Sequence, residues 1–402
     1  MRKGIIAIVI AVVLLGGYVV GQTATKNATT DVFEQLAERI AEQSGYNIDL
    51  IWLEQRWGSG QLEMHISVEG IDELRYREVI DLNYGFLRTK INGSGQLVVF
   101  GSNVNDTIFD GQAFTSTGVA GMGGLTMEYS IPTIEKELDE GLILNIPESI
   151  LQVVATDSTL HFTFNNPGFL LTHDVDPGHF EVGATAIESH TAWRLGKLHH
   201  QQVDMTFSGV TAETPDLNFA VTDMRFASHL IVEDGFASGG MRYELGHFNI
   251  PDVGTGTGLI EFELEGANYA LFEALQRDPE LLEDEDYMAG LLYELLHNND
   301  AKLTLNTFEF EAEGLGRAHL HGELTVADID LSQDEFQLDL LNDPEFLMQY
   351  IELSLHVEEL PLIALMAMMM ITTEQLPWLF EMRDGHFYLN GEQLDLEEMG
   401  MQ

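Results

Sequence analysis

The sequence predicts a mainly β protein with helices, an α+β fold in which an N-terminal transmembrane helix precedes large antiparallel sheets. Three observations lead to this prediction. An apolar run follows the first charged residues, apolar and polar residues then alternate along much of the 402-residue chain, and helical patterns return in the C-terminal third. We expect a cytoplasmic tip and anchor at residues 1–25, a β-rich region at 26–260, and an α+β region at 261–402 that continues the preceding sheet.

The N-terminus has the pattern of a membrane anchor. "MRK" precedes an apolar run at residues 4–20, and about 20 apolar residues suffice to cross a bilayer, so residues 4–24 are long enough. The two basic residues of "MRK" favour a cytoplasmic N-terminus. This predicts a single-pass protein of the bacterial inner membrane with most of the chain in the periplasm. A cleaved signal peptide, with Val19 and Gly21 at the −3 and −1 positions, is the alternative.

An amphipathic helix is predicted after the anchor, at residues 29–45. Thr29 or Thr30 can cap it and Gly45 can end it. One face of this helix carries the apolar side chains of Val32, Leu36 and Ile40. We therefore expect a helix near residues 30–44 that packs on the sheets.

Beyond this helix the apolar residues recur at every second position, which indicates strands with one buried and one solvated face. The apolar sets are Leu62/Met64/Ile66/Val68, Leu160/Phe162/Phe164, Val203/Met205/Phe207, Ile260/Phe262/Leu264 and Ile351/Leu353/Leu355/Val357. The pentapeptide "GSGQL" occurs at 58–62 and again at 93–97, each time leading into a strand, and is a weak sign of duplicated hairpins.

Helical patterns in the C-terminal third predict insertions near residues 268–298 and 361–375. The second contains a run of methionines at 366–370. Methionine adapts to irregular surfaces, so this run could line a hydrophobic ligand site, or it could belong to a packed core helix.

Composition excludes several classes of function. The formal net charge is −48, from 66 acidic and 18 basic residues, which disfavours nucleic acid as a partner. The chain has no cysteine, and therefore no disulfide, thiol nucleophile or cysteine-ligated metal. We predict no cofactor.

Three histidine-containing segments are candidates for metal sites. "HDVDPGH" offers His173, Asp174, Asp176 and His179, but its spacing matches no known site and Pro-Gly marks a turn. "HLHGE" places His319, His321 and Glu323 on one strand face, which is the polar face because Leu320, Leu324 and Val326 occupy the other. His199 and His200 are adjacent and diverge on a strand. We predict no metal site.

The sequence contains no complete catalytic, phosphate-binding or calcium-binding motif. "VGTGTG" at 253–258 lacks the lysine and the following helix of a phosphate loop. "DIDLSQD" at 328–334 has Gln333 where a calcium loop needs glycine. No Gly-x-Ser-x-Gly or His-Glu-x-x-His motif occurs. We therefore predict that the protein is not an enzyme and has no catalytic residues, and the sequence does not indicate which residues would bind a ligand.

The end of the chain, "RDGHFYLNGEQLDL" at 383–396, contains the turn dipeptides Asp384-Gly385 and Asn390-Gly391. Such dipeptides supply the positive φ angles of tight hairpins. We predict strands at 378–383, 386–389 and 392–396. A ligand-binding loop around His386 is the alternative.

The chain resembles the YdgA-like family of bacterial envelope proteins of unknown function. The resemblance rests on the N-terminal anchor, the segment "WGSG" at Trp57–Gly60, the long strand-rich tracts and the terminal "LFEMRDGHFYLNGEQL". It implies no catalytic residues. Its layout is similar to that of AsmA-type envelope proteins, which are linked to lipid handling.

Two functions are consistent with these observations. The protein could bind or move apolar or amphipathic envelope molecules such as lipids, in a groove of a curved sheet. Alternatively it could be a non-enzymatic envelope scaffold with a fully packed core. An open apolar channel in the structure would favour the first.

Overall fold

The structure is a computed structural model. It describes residues 21–38, 46–68, 71–137, 141–173, 178–195, 197–214, 217–251, 254–269, 301–326, 351–368 and 375–394. Strands make up 74% of the described residues and helices 10%. The chain divides into two compact units: unit 1 is Met1–Asp174 with Thr185–Gly196, and unit 2 is Val175–Ala184 with Lys197–Gln402.

Unit 1 is built on an antiparallel meander of nine strands, each paired with the next in the order given. These strands are β1 (Tyr46–Gln55), β2 (Ser59–Val68), β3 (Ile71–Tyr84), β4 (Arg88–Val99), β6 (Phe114–Gly121), β7 (Gly124–Ile131), β10 (Ser149–Ala155), β11 (Thr159–Asn166) and β14 (Thr185–Arg194).

Shorter elements complete unit 1. β5 (Ser102–Asn103) pairs with β4, and β9 pairs with both β8 and β12. The latter three are β8 (Ile134–Glu137), β9 (Leu142–Ile146) and β12 (Phe169–His173). Helix α1 covers residues 21–38, and helix α2 is Val104–Thr107.

Unit 2 is a second antiparallel meander, in which each strand again pairs with the next. Its strands are β13 (His179–Val182), β15 (Lys197–Thr214), β16 (Leu217–Glu233), β17 (Phe236–Ile250), β18 (Gly254–Asn268), β19 (Lys302–Ala312), β20 (Gly316–Val326), β21 (Ile351–Glu359), β22 (Trp378–Arg383), β23 (His386–Leu389) and β24 (Glu392–Gln393). The predicted domain division at residue 260 falls inside β18.

The predicted α+β class is wrong, because the described residues are nearly all antiparallel sheet. The alternating pattern continues through the C-terminal third, where successive strands pair with each other and satisfy their backbone hydrogen bonds laterally. The one helix described there is α3 (Leu362–Met368), which has seven residues. Its Leu365 packs beside Val357, Trp378 and Leu389, so α3 covers the sheet without forming a layer of its own. Residues 270–300, which include most of the first predicted insertion, lie outside the described residues.

The N-terminal transmembrane helix of the predicted fold class is not found among the described residues either. Within the described residues, no helix combines the length and apolar character needed to cross a bilayer. Residues 1–20 lie outside them, and residues 21–24, predicted as the end of the anchor, belong to α1. Gln22 is 4% exposed and its Nε2 donates to the backbone oxygen of Tyr84 at 2.6 Å, so this part of the helix packs on protein.

The predicted caps of this helix are therefore interior residues. The Thr29 hydroxyl donates to the backbone oxygen of Thr25, one turn earlier, and Thr30 bonds Lys26 in the same way. The predicted apolar face is confirmed at Val32 and Leu36, which pack against the buried core of unit 1. Ile40 lies outside the described residues.

Candidate functional site

The core of unit 1 contains an apolar pocket of about 420 Å³ between α1 and the inner face of the sheet. This volume lies within the usual range of small-molecule sites, roughly 300–1,000 Å³. Helix α1 contributes Phe33, Leu36 and Ala37. Strands β1, β2, β3, β6, β7, β10 and β11 contribute Ile48, Leu50, Met64, Ile66, Tyr76, Phe114, Leu125, Met127, Tyr129, Ser130, Ile131, Leu151, Val153, Leu160, Phe162 and Phe164.

Polar side chains fix the N-terminal half of α1 to the sheet. The Thr25 hydroxyl lies 3.0 Å from the backbone oxygen of Phe86, and the hydroxyls of Thr29 and Thr89 are 2.7 Å apart in a buried contact. Together with Gln22, these residues hold the helix against the loop between β3 and β4. The next turns of the helix then lie over the pocket, so the helix position and the pocket are linked.

Two glycines of β4 make room for polar side chains that project from β3. A Cβ atom at Gly93 would overlap the Glu78 carboxyl and the Ser116 hydroxyl, and one at Gly95 would overlap the Tyr76 hydroxyl. The first "GSGQL" segment works similarly, because a Cβ at Gly60 would overlap the Tyr84 hydroxyl. In both segments a glycine lets a tyrosine of β3 lie across the neighbouring strand.

Glu78 lies on the inner face of β3 and is 0% exposed. The Ser116 hydroxyl donates to its Oε1, whereas no hydrogen bond of good geometry from a described residue reaches Oε2. Burial raises the pKa of Glu78 from 4.5 to about 7, and hydrogen bonding from Ser116 and Tyr76 partly opposes this rise. A carboxyl group that titrates near neutrality therefore lies in the core of unit 1.

Glu78 adjoins the pocket wall. In the strand register it lies opposite Met64, which lines the pocket, and it is next to Tyr76 on the same face of β3. Burial and the nearby Glu78 raise the pKa values of Tyr76 and Tyr129, so both phenols stay neutral. The wall thus combines apolar side chains with two neutral phenols, and a buried carboxyl lies next to it on β3.

No protein-family model, curated protein or solved structure matches this chain. The resemblance to the YdgA-like family therefore stays a prediction, and the pocket has to be interpreted from its own chemistry.

None of the described candidate metal residues lines this pocket. Of "HDVDPGH", Asp174 and Asp176 lie outside the described residues, while His173 ends β12 and His179 begins β13. In the described part of the chain, no group of three or more His, Asp or Glu residues is arranged to hold a metal ion.

The "HLHGE" residues lie on β20, with a carboxylate of β21 beside them. His319 Nδ1 is 2.8 Å from Glu358 Oε2, and the rings of His321 and His356 stack with centroids 4.8 Å apart. The Glu323 side chain is 51% exposed and pairs with Lys302 at 2.6 Å. This partly exposed polar face agrees with the sequence-based interpretation.

His199 and His200 are neighbours on β15, as predicted for a strand. From "VGTGTG", residues 254–258 form the start of β18, which confirms a strand in place of a phosphate loop. "DIDLSQD" lies outside the described residues. Met366 of the methionine run is 60% exposed on α3, while Met369 and Met370 also lie outside them.

The terminal segment is a pair of hairpins, as predicted. Asp384 and Gly385 have φ values of 52° and 72°, and Asn390 and Gly391 have values of 51° and 84°. Strands β22, β23 and β24 follow one another, with β24 ending at Gln393 among the described residues. The inner face carries Leu389, which is 3% exposed.

Sequence reasoning missed Glu78, although a signal for it exists. In the β3 sequence "YREVIDLNY", alternate positions are Tyr76, Glu78, Ile80, Leu82 and Tyr84. A carboxylate in phase with an apolar series must be buried if the strand has one inner face. The sequence could not show which residues surround Glu78, because they come from other strands.

Proposed function

We propose that unit 1 binds an apolar or amphipathic small molecule of the cell envelope, such as a lipid, in the pocket beneath α1. The observation that supports this most directly is the pocket itself: α1 and seven strands line a partly open volume of about 420 Å³, and the described side chains around it are almost all apolar. A fully packed scaffold would fill such a volume, because protein interiors are normally close-packed.

The proposed role is binding without chemical turnover. The pocket wall offers the phenols of Tyr76 and Tyr129 and the hydroxyl of Ser130 as its polar groups among the described residues. Among the described residues that line the pocket, none is a histidine or a lysine that could act as a base toward a substrate. The location at the bacterial inner membrane, with most of the chain in the periplasm, is proposed on the N-terminal sequence alone. A reporter that is active only in the periplasm, fused after residue 402, would be inactive if this location were wrong.

A matched pair of substitutions on β10 tests the binding. Val153 lines the pocket, whereas the adjacent Val154 points to the opposite face and is 40% exposed. Val153→Phe fills part of the pocket and Val154→Phe adds the same bulk outside it. Mass spectrometry would measure the small molecules extracted from each purified full-length variant, and circular dichroism would show whether each variant keeps its β content.

We expect Val153→Phe to lose most of the molecule that the wild type retains, while Val154→Phe keeps it. Lipid that binds nonspecifically to the chain should be the same in both variants. If the wild type and both variants carry the same small molecules in the same amounts, the pocket is not a ligand site and the scaffold alternative is favoured.

A further inference from the structure

We propose that the pocket selects uncharged amphiphiles and excludes molecules with a negatively charged headgroup. This inference rests on the proposed function, and it specifies the chemical class of the ligand. It depends on two acidic residues that adjoin lining residues and on the residue types of the wall.

The described part of the wall offers no partner for an anion. Among the described residues that line the pocket, none is Lys, Arg or His. The basic residues of β3, Arg75 and Arg77, alternate with the inner-face residues and so belong to the opposite face of the sheet. Arg77 is engaged there by Glu63. A buried anionic headgroup would therefore lose its hydration without gaining an ion pair, which is strongly unfavourable.

Next to the wall lies Glu78, on the inner face of β3 and in register with the lining residue Met64. It is fully buried, and its Oε2 lacks a hydrogen-bond partner of good geometry among the described residues. The other titratable groups that face it are the phenols of Tyr76 and Tyr129, since β2 and β4 present Met64 and glycine there. Among these residues of β2, β3, β4 and β7, none carries a positive charge that would compensate an anionic headgroup next to Glu78.

A further carboxylate is bonded to a residue of the wall. Ser130 lines the pocket, and its hydroxyl donates to the exposed carboxylate of Glu148. An anionic headgroup close to Ser130 would therefore meet like charge there as well.

An uncharged headgroup is compatible with the surroundings of both Glu78 and Ser130. Hydroxyl or ester groups can accept hydrogen bonds from neutral phenols or from a protonated carboxyl, and they can remain near carboxylates without repulsion.

Photo-crosslinking of the full-length chain tests the selectivity. Two probes would share one alkyl chain with a diazirine; one carries a glycerol ester headgroup and the other a sulfonate, which stays negative at every pH used. Mass spectrometry would measure labelling of peptides that contain pocket-lining residues at pH 5.5 and 8.5. Val153→Phe shows how much of that labelling comes from the pocket.

We expect the glycerol ester to label the pocket peptides at least about tenfold more than the sulfonate at pH 8.5, because the sulfonate would lose its hydration beside a like charge. Sulfonate labelling should rise several-fold in Glu78→Gln. Glu128→Gln is the matched control, since Glu128 lies on the exposed face of β7 and pairs with Gln152; its labelling should equal that of the wild type.

The outcomes separate the two proposals. If neither probe labels the pocket peptides, or if Val153→Phe leaves labelling unchanged, the proposed function fails. If both probes label the wild type equally at pH 8.5, the pocket binds amphiphiles but the charge selectivity is refuted. If sulfonate labelling is the same in Glu78→Gln and Glu128→Gln, Glu78 is not the source of the charge selectivity, and the inference is overturned.

Discussion

Glu78 should make the stability of the protein fall as pH rises toward neutrality. Its pKa is about 7 in the folded chain, against 4.5 for an exposed glutamate. Between these values the folded state holds a proton that the unfolded state has released, so the free energy of unfolding decreases with pH. At about 1.4 kcal/mol per pH unit, the full interval corresponds to roughly 3 kcal/mol, and the part between pH 5 and pH 8 to about 2–3 kcal/mol.

The substitution Glu78→Gln removes this titration and preserves the shape of the side chain. Relative to the wild type, the variant should gain about 2–3 kcal/mol in unfolding free energy on going from pH 5 to pH 8. Urea unfolding of the full-length chain, followed by tryptophan fluorescence at both pH values and constant ionic strength, measures this difference. Because the variants are compared at the same pH, the contributions of all other titrating groups to the unfolding free energy cancel.

Glu128→Gln again serves as the control, because Glu128 is exposed on the opposite face of the sheet. Its stability should follow that of the wild type at both pH values. Parallel pH profiles for the wild type and Glu78→Gln would refute the reasoning, since they would mean that Glu78 titrates alike in the folded and unfolded chains.

Three further predictions concern the glycines and the charge of the chain. Gly93→Ala should lower the free energy of unfolding by urea by about 1–3 kcal/mol, because the added Cβ would overlap Glu78. Gly123→Ala is the control: its Cβ would have nothing within 4 Å, so the free energy of unfolding should change by less than about 0.5 kcal/mol. Gly391→Val should cost about 1–3 kcal/mol because φ is 84° there, while alanine at the exposed His386 should cost little; equal thermal melts for the two variants would contradict the hairpin assignment. The melting temperature should rise with sodium chloride between low and moderate salt, since ions screen the repulsion of 48 surplus negative charges over about 10 Å at 0.1 M, and a flat response would contradict this.

The sequence alone determined the strands and the terminal turns. The period of two in β2 identified Leu62 and Met64 as inner-face residues, and they are 0% and 8% exposed. Asp384-Gly385 and Asn390-Gly391 specified their hairpins because few residues adopt positive φ. These features follow from local steric preferences and from side-chain alternation, which act within a few neighbouring residues.

The sequence was a poor guide to the balance of helix and strand. A short apolar segment such as Leu362–Met368 fits a helix, but its length depends on what it packs against. The predicted start of α1, at Thr29 or Thr30, was also wrong, because the contacts of the helix with the sheet decide where it begins. Thr29 has the residue type of a cap, yet in the folded chain its hydroxyl bonds within the helix and contacts Thr89 of the sheet.

Only the tertiary structure decided the site. Phe33, Met64, Val153 and Phe164 lie far apart in the chain, and the pairing of strands brings them around one volume. A strand's pattern shows which residues face inward, but it does not show which strand will lie beside it or whether the enclosed space will be filled. Burial of Glu78 likewise depends on the glycines of a neighbouring strand, because its carboxyl occupies the space that a side chain at Gly93 would take.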